Sequence, residues 1–306
     1  MTCGDYTYMP LEDGSARITR YKGTDEDLTV PAELDGHPVR EIGHKVFYEC
    51  GALTTVALPD SLTSIGDRAF SWCDSLTTIT LPDSLTTIGD HAFDDCDSLT
   101  TITLPEGLTT IGNDAFLGCS SLAKIDVSPD NPIFAQIDGV LYEKATKTLV
   151  CYPAGKEGDS FAVPDGILTI GDRAFSGCSS LTTVTLPEGL TSIGDSAFIG
   201  CDSLTTVTLP DSLTTIGDSA FSGCDSLTTI TLPEGLTSIG DEAFSYCDAL
   251  TTITLPDSVT SIGVGAFSNC PSDLTLTVPR DSYACQYAID NGLAYTYPDA
   301  NDWLNA

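Results

Sequence analysis

The sequence predicts a β-rich solenoid of the α/β class, in which successive 23-residue coils stack on one another. Three observations predict it: a proline, a phenylalanine and a cysteine each recur every 23 residues. One repeat has too few apolar positions to close a core alone, so the repeats must stack to bury them. The phenylalanines mark nine coils, at Phe47, Phe70, Phe93, Phe116, Phe175, Phe198, Phe221, Phe244 and Phe267.

The repeat that begins at Leu76 shows how each half of a coil is predicted to fold. Apolar residues alternate with β-branched threonines over Leu76–Leu81, which predicts a short strand. The strand ends at Pro82, because proline has no backbone N–H to donate to a sheet. The next apolar pair, Leu85 and Ile88, predicts either a second short strand or an irregular arc.

The second half of the same repeat predicts a corner and a turn. Gly89 supplies a permissive backbone for the corner, and Asp90 is expected to cap the turn that follows. Ala92, Phe93 and Cys96 have the spacing of a helical turn and are expected to face inward.

The cysteines are expected to be buried, free thiols. Twelve cysteines in a short secreted chain would suggest disulfides. Nine of them recur once per repeat, however, and free cysteine packs as a small hydrophobic residue. The three outside the register are Cys3, Cys151 and Cys285.

The array is interrupted between Phe116 and Phe175, where we expect a β-insertion. Asp138-Gly139 lies between two apolar runs and predicts a hairpin, and Lys124–Val127 predicts the strand before it. The insertion is either a splice between two repeat blocks or a segment beside a binding surface.

The two ends depart from the register, as terminal repeats do. A hairpin is predicted before residue 30, and a helix over Tyr283–Asn291 followed by a strand over Leu293–Tyr297, with residues 298–306 frayed. The predicted organisation is a single solenoid over 1–306, with an N-terminal cap at 1–30, a first repeat block at 31–124, the insertion at 125–163, a second repeat block at 164–280, and a C-terminal cap and tail at 281–306.

The repeat LxxIxLPxxLxxIGxxAFxxCxx resembles the bacterial BspA-like, or Treponema-type, leucine-rich repeats over roughly residues 28–280. The resemblance implies a right-handed leucine-rich-repeat solenoid with a parallel sheet along one face, an N-terminal hairpin cap and a C-terminal helix–strand cap. Better-known members of that family are cell-surface or secreted proteins implicated in adhesion. The resemblance therefore implies a binding role and an extracellular or cell-surface location, without identifying a ligand.

Charge excludes several classes of partner. The formal net charge is −32, from 44 acidic and 12 basic side chains. Nucleic acid and anionic membranes both require clusters of Lys and Arg, so neither is an expected partner. No apolar run reaches the length of a membrane span, so no direct membrane insertion is expected. The first residues lack the features of a signal peptide, so the chain is expected either to be cytoplasmic or to have lost an export signal, and an extracellular location implies the second.

Threonine supplies the first candidate binding surface. Strands of seven repeats carry threonine at two alternate positions, which are expected to face outward in two columns with a spacing of about 4.8 Å. The columns are either a soluble face that favours β structure or a ligand-binding face. The candidate residues are Thr206, Thr208, Thr229 and Thr231.

The insertion supplies the second candidate surface, because its aromatic and basic residues interrupt the acidic, threonine-rich pattern. Interfaces are enriched in aromatic residues and in arginine. The candidate residues are Phe134, Tyr142, Lys144, Lys147 and Tyr152.

Aspartate recurs in three columns, for which capping and solubility are the expected roles. One carboxylate per coil does not supply the six to eight converging oxygens that Ca²⁺ prefers, so no metal and no cofactor are expected. Like charges in a column repel, which predicts that added salt increases stability.

No catalytic residues are predicted, and we expect no enzyme. Gly-Asp-Ser-Ala at 194–197 and 217–220 looks like a serine-esterase block, but its serine is simply a variable position of the repeat. The predicted function is recognition or adhesion, with a host or bacterial surface protein or glycan as partner. The alternative is a structural spacer that displays another domain at the cell surface, and a hydrolase or metal-binding protein is the third hypothesis.

Overall fold

The computed structural model describes residues 1–298, which divide into two compact units. Unit 1 comprises Met1–Ala145 and Cys151–Lys156, and unit 2 comprises Thr146–Val150 and the chain from Glu157 onward. Each unit is a parallel β-solenoid, and together they make about 12 turns. The predicted frayed tail lies, from residue 299 on, outside the described residues.

The strands are short, as the close spacing of turn residues predicts. The N-terminal strands are β1 (Thr2–Cys3), β2 (Tyr6–Pro10), β3 (Ala16–Tyr21), β4 (Asp27–Thr29), β5 (Glu33–Leu34) and β6 (His37–Ile42). The rest of unit 1 contains β7 (Thr55–Ala57), β8 (Ser64–Ile65), β9 (Thr78–Thr80), β10 (Thr87–Ile88), β11 (Thr101–Leu104), β12 (Thr110–Ile111), β13 (Lys124–Val127), β14 (Phe134–Ile137) and β15 (Val140–Glu143).

Strand β16 (Thr148–Cys151) runs from unit 2 into the last segment of unit 1. Unit 2 continues with β17 (Ser160–Ala162), β18 (Thr169–Ile170), β19 (Thr183–Thr185), β20 (Ser192–Ile193), β21 (Thr206–Thr208), β22 (Thr215–Ile216), β23 (Ser238–Ile239), β24 (Thr252–Thr254), β25 (Ser261–Ile262), β26 (Thr275–Thr277), α1 (Tyr283–Asp290) and β27 (Ala294–Thr296).

Each unit contains two kinds of parallel ladder. The strand before the proline of each repeat pairs with its equivalent in the next coil, as in β7–β9 and β19–β21. The two-residue strand after the proline forms its own ladder, through β8, β10 and β12 in unit 1 and from β18 to β25 in unit 2. The Leu85–Ile88 segment is therefore a short strand rather than an irregular arc, with Ile88 paired to Ile111.

A stack of phenylalanine rings fills the interior. Neighbouring ring centroids from Phe47 to Phe116 are 4.9–5.8 Å apart, and those from Phe175 to Phe267 are 4.7–5.6 Å apart, all in stacked geometry. Such a stack requires many coils in one register, because each ring packs between the rings of its neighbours. The predicted common core of each unit is confirmed.

The repeated thiols are free, as predicted, and most are buried. The Sγ–H of seven of them donates to the carbonyl of the phenylalanine 26 residues earlier, as in Cys96 to Phe70 at 3.1 Å. Burial raises the pKa of Cys201 and Cys247 to about 12. These thiols are therefore structural, since the thiolate is the reactive form.

The segment around each phenylalanine is a series of turns rather than a helical turn. His91 and Asp95 both have left-handed backbone, with φ of 54°. The N–H of Phe93 donates to the carbonyl of Ala115 in the next coil, at 2.9 Å. The prediction that Ala92, Phe93 and Cys96 face inward is confirmed. The predicted helical turn was wrong, because the backbone hydrogen bonds run between coils and not within one helix.

Both predicted caps are present. At the N-terminus β2 and β3 form an antiparallel hairpin, and β3 joins the parallel ladder at β6. At the C-terminus Ser282 caps α1 by accepting from the N–H of Cys285, and β27 pairs in parallel with β26. The caps cover the ends of the ladders that repeats alone would leave open.

The insertion contains the predicted hairpin. Strands β14 and β15 pair antiparallel around Asp138 and Gly139, both with positive φ, which is the geometry of a two-residue type I′ turn. At the edges of the predicted 125–163 segment, β13 pairs with β11 and β17 with β19, within the repeat ladders of their units. The division into one solenoid with five segments stays a prediction.

Candidate functional site

The threonines of the strand before the proline face outward, as predicted. Thr206 and Thr208 are exposed on either side of Val207, which is 4% exposed. They pair with Thr183 and Thr185 of the preceding coil, so the hydroxyl groups form two columns in register. Whether these columns bind a ligand stays a prediction.

The threonine surface contains one irregularity. Thr229 and Thr231 are exposed like their equivalents, but their segment has no regular strand pairing and makes only a bridge between Thr231 and Thr254. The four candidate threonines therefore span the break between the β17–β21 and β24–β27 ladders.

A different set of threonines holds the coils together. The Thr214 hydroxyl donates to the carbonyl of Thr191, and the Thr237 hydroxyl to that of Thr214, both at 3.0 Å. In unit 1 the Thr86 hydroxyl donates to the carbonyl of Thr63 in the same way. The sequence signal is that each of these threonines directly follows the first apolar residue after the proline, although sequence reasoning assigned it no role.

The aspartate after each glycine also links coils. Asp90 was expected to cap the turn of its own coil, and this was wrong: its Oδ1 accepts from the N–H of Asn113 in the next coil, at 2.8 Å. In unit 2, Asp195 accepts from Asp218 and Asp218 from Asp241, at 2.9 and 2.7 Å. Each carboxylate therefore accepts from an N–H of the next coil, whereas a cap would accept from an N–H about three residues further along its own coil.

This link explains the glycine before each aspartate. A Cβ atom at Gly89 would lie 2.4 Å from Oδ1 of Asp67 in the preceding coil. Glycine is therefore required because any side chain here would collide with the neighbouring coil. The expected reason, a permissive backbone for the corner, is not the one that the contact shows.

Three candidate residues of the insertion are in the wrong place for contact with a partner. Phe134, Tyr142 and Tyr152 are only 6%, 3% and 3% exposed. The expectation that these rings lie on the surface was wrong, because the insertion buries them: Phe134 and Tyr142 lie in the hairpin strands, and Tyr152 directly follows β16. Burial raises the pKa of Tyr142.

The two candidate lysines of the insertion, Lys144 and Lys147, are exposed. Lys144 Nζ donates to the carbonyl of Asn131, which fixes the direction of that side chain within unit 1. Lys147, in unit 2, has left-handed backbone with φ of 55°. These two remain the accessible candidates of the segment.

A polar groove of unit 1 is lined by carboxylates. Asp83, Glu106 and Asp130 face it together with Thr109 and Ser128. Such a lining accepts hydrogen bonds from hydroxyl or ammonium groups. Within residues 1–298, no three His, Cys, Asp or Glu side chains are placed to hold a metal ion together.

The repeat and its fold are matched by a known family. The BspA type leucine rich repeat region matches residues 40–139 and 154–273, in six copies. The chain belongs to the BspA-type leucine-rich-repeat family. No curated protein matches it as a relative.

Several solved structures resemble this BspA-type chain. A leucine rich cell surface protein of Faecalibacterium prausnitzii is 31% identical, with a TM-score of 0.64, and the match covers 94% of this chain and 97% of that one. A leucine-rich repeat protein of Eubacterium ventriosum is 25% identical, with a TM-score of 0.54 over 87% and 93% of the chains. The pneumococcal vaccine antigen PcpA, 22% identical with a TM-score of 0.75 over 95% and 96%, shares the fold.

Within residues 1–298, no helix is long and apolar enough to cross a bilayer.

Sequence reasoning missed one surface of the BspA-type repeats, on the turns of unit 1. Lys45 and Arg68 stand two residues before the phenylalanine of successive coils, and both are exposed. Trp72 is 48% exposed, and the Nζ of Lys45 lies 4.4 Å from the centroid of the Tyr48 ring. The signal was available, since these positions vary while those around them repeat.

Proposed function

We propose that this chain is a non-enzymatic recognition module of the bacterial cell surface, which binds a protein or glycan through its outward threonines and the Lys144–Lys147 turn. The observation that carries the proposal is the pair of exposed threonine columns in unit 2, held in register by parallel pairing. The location rests on the 31% identical neighbour that is named a cell surface protein.

The threonine columns suit a ligand with a repeating structure. Each hydroxyl can both donate and accept a hydrogen bond, and a β-branched side chain loses little rotamer freedom on binding. Parallel strands repeat the same pair of hydroxyls at about 4.8 Å per coil. A glycan chain or an extended peptide presents polar groups at comparable intervals.

The test uses substitutions that the chain itself tolerates. Strand β13 carries Lys124 and Asp126 in the register positions of Thr101 and Thr103, so Thr206→Lys with Thr208→Asp should fold. The probes are an array of immobilised cell-surface glycans and an array of extracellular matrix proteins. We expect the double variant to lose at least tenfold in affinity for whichever probe the wild type binds.

The control places a charge elsewhere. Ser219→Lys introduces lysine at the position that Lys45 occupies in unit 1, and should leave binding unchanged. Lys144→Glu with Lys147→Glu tests the turn of the insertion separately. If neither double variant alters binding of a probe, the proposed surfaces are wrong.

The alternative is a spacer that displays another domain. A spacer gains nothing from the threonine hydroxyls beyond solubility and β propensity. It predicts that no probe binds the wild type and that both double variants are indistinguishable from it.

A further inference from the structure

Four side chains on the turns of unit 1 form what we term the aromatic–basic patch: Lys45, Tyr48, Arg68 and Trp72. They come from two adjacent coils whose backbones are hydrogen-bonded at these positions, with the N–H of Lys45 donating to the carbonyl of Asp67 at 3.0 Å. Lys45 lies over the ring of Tyr48. Glu49 raises the pKa of Tyr48 by accepting a hydrogen bond from its hydroxyl group, and the positive charge of Arg68 opposes that rise.

The position of the Trp72 ring does not suggest a role in folding. Its ring is 48% exposed, and its backbone is left-handed with φ of 62°. The left-handed backbone belongs to the repeat, because Glu49, Asp95 and Asn269 at the same position of other coils have φ of 59°, 54° and 57°, so what distinguishes Trp72 from them is its large, exposed ring. Four other coils have glycine at this position, at Gly118, Gly177, Gly200 and Gly223, which shows that the repeat forms there without a side chain.

The basic charges of the patch are only partly matched: Arg68 opposes the rise in the Asp94 pKa, and Lys45 lies over the Tyr48 ring. The chain contains 44 acidic residues, yet within residues 1–298 the ion pairs include neither Arg68 nor Lys45. Both side chains are exposed, so their charges are available to a partner.

We propose that the aromatic–basic patch docks a protein partner, with Trp72 entering an apolar pocket whose rim carries carboxylates that pair with Arg68 and Lys45. Trp, Tyr and Arg are the residues most enriched at the energetic centres of protein interfaces. Complementary charges around such an anchor select the partner and orient it. The patch lies on a different segment of the coil from the threonine columns, so this inference goes beyond the proposed function.

Unit 2 contains a natural control for the patch. Tyr246 occupies the position of Trp72, is 55% exposed and has φ of 56°. The residue four positions before it is Glu242, where unit 1 has Arg68. The two sites share backbone and exposure but carry opposite charge.

The test selects ligands directly. A dodecapeptide library displayed on phage is selected on the full wild-type chain and counter-selected on Trp72→Gly. We expect enriched peptides that combine Asp or Glu with large apolar residues. Affinities of the synthesised peptides are then measured by fluorescence polarisation.

Separate variants test the contribution of the Trp72 ring and that of the Arg68 charge. Trp72→Gly and Arg68→Ser, which copy the residues found at these positions in other coils, should each weaken binding at least tenfold. Tyr246→Gly should change it less than twofold. In a Trp303→Phe background Trp72 is the only tryptophan, and its emission should shift to the blue when the peptide covers it.

Clear outcomes would overturn the proposal. These are no enrichment over the counter-selection, selection of basic peptides, or Trp72-dependent binding of an anionic polysaccharide such as polygalacturonate in place of peptide. Circular dichroism checks that Trp72→Gly is folded, and Arg68→Glu, on an exposed side chain, carries the test if it is not. Thr206→Lys with Thr208→Asp should leave peptide binding intact, so the two proposals fail separately.

Discussion

The coils of unit 1 and those of unit 2 have the same kind of packed interior, but the exposed side chains of their turns differ. Around Phe70 the neighbouring ring centroids are 4.9 and 5.4 Å away, and around Phe198 they are 4.7 and 5.1 Å away. The thiol bond to the phenylalanine carbonyl is 3.1 Å from Cys73 and 3.0 Å from Cys201. The stack constrains both sets of coils equally.

The outward positions show no such agreement. In the coil of Phe70 the residues two before and two after the phenylalanine are Arg68 and Trp72, whereas in the coil of Phe198 they are Ser196 and Gly200. Serine and glycine suit a plain scaffold, because they are small and glycine accepts the left-handed backbone. The difference teaches that the stack fixes the inward side chains and leaves the turns free to specialise.

The largest predicted effect tests the shared interior. Phe70→Ala and Phe198→Ala should each lower the free energy of unfolding by about 3–5 kcal/mol, because each empties a fully buried site between two rings. Chemical denaturation of the two variants measures this. A cost below about 1 kcal/mol at one site would show that the two interiors are not equivalent.

The next effect tests the surface difference. Gly200→Trp should destabilise by about 1–2 kcal/mol, the cost of a side chain in left-handed backbone, since a Cβ there meets nothing within 4 Å. Trp72→Gly should be neutral or stabilising. Thermal unfolding compares both with wild type, and a clear loss of stability in Trp72→Gly would mean that the ring contributes to folding.

Removing the aspartate hydrogen bond between coils should lower the free energy of unfolding by a smaller amount. Asp218→Ala removes the acceptor of the Asp241 N–H and should cost about 1 kcal/mol, and Asp90→Ala should cost the same through the N–H of Asn113. Asp218→Asn keeps an oxygen acceptor and loses less. Equal losses for Ala and Asn, measured by urea unfolding, would indicate that the charge rather than the hydrogen bond matters.

The smallest effects concern repulsion among carboxylates. Burial and then the neighbouring aspartates raise the pKa of Asp95 in unit 1 and of Asp225 in unit 2. A carboxyl whose pKa is raised on folding binds its proton more tightly in the folded state. The penalty is therefore present at pH 7 and lost as the pH falls through the raised pKa toward the ordinary value of 3.8.

Calorimetry at several pH values checks the sign. The contribution of these groups should favour folding as the pH falls, and NaCl added at pH 7 should raise Tm because it screens the repulsion. A Tm that stays flat or falls with moderate NaCl would show that the columns are not under mutual repulsion.

The features that recur with the 23-residue period could be predicted from the sequence. A residue such as Phe93, Cys96 or Ile88 recurs because every coil needs it inside, so its burial and the ladder that contains it follow from spacing alone. The exposed threonines follow from the same alternation, since Thr206 and Thr208 flank an inward valine.

The rest depended on contacts that spacing does not reveal. Tyr142 and Tyr152 lie in a segment with no period, so nothing in the sequence separated a buried ring from an exposed one. The partner of Asp90 lies in the next coil, and a pattern read along one repeat favoured a bond within it. Trp72 was overlooked because it stands at a position that varies from coil to coil, where spacing alone does not show that the ring is exposed.

The aspartate ladder also governs how such a protein can change in length. Val264 replaces aspartate where the helix cap follows instead of another coil, and its N–H is bound by Asp241 at 2.7 Å. Each internal repeat brings one acceptor and one donor, so whole repeats can be duplicated or deleted by recombination with every such bond restored. Growth or shortening of the molecule in steps of a single repeat is thus open to evolution, whereas a fractional step would leave donors and acceptors mismatched.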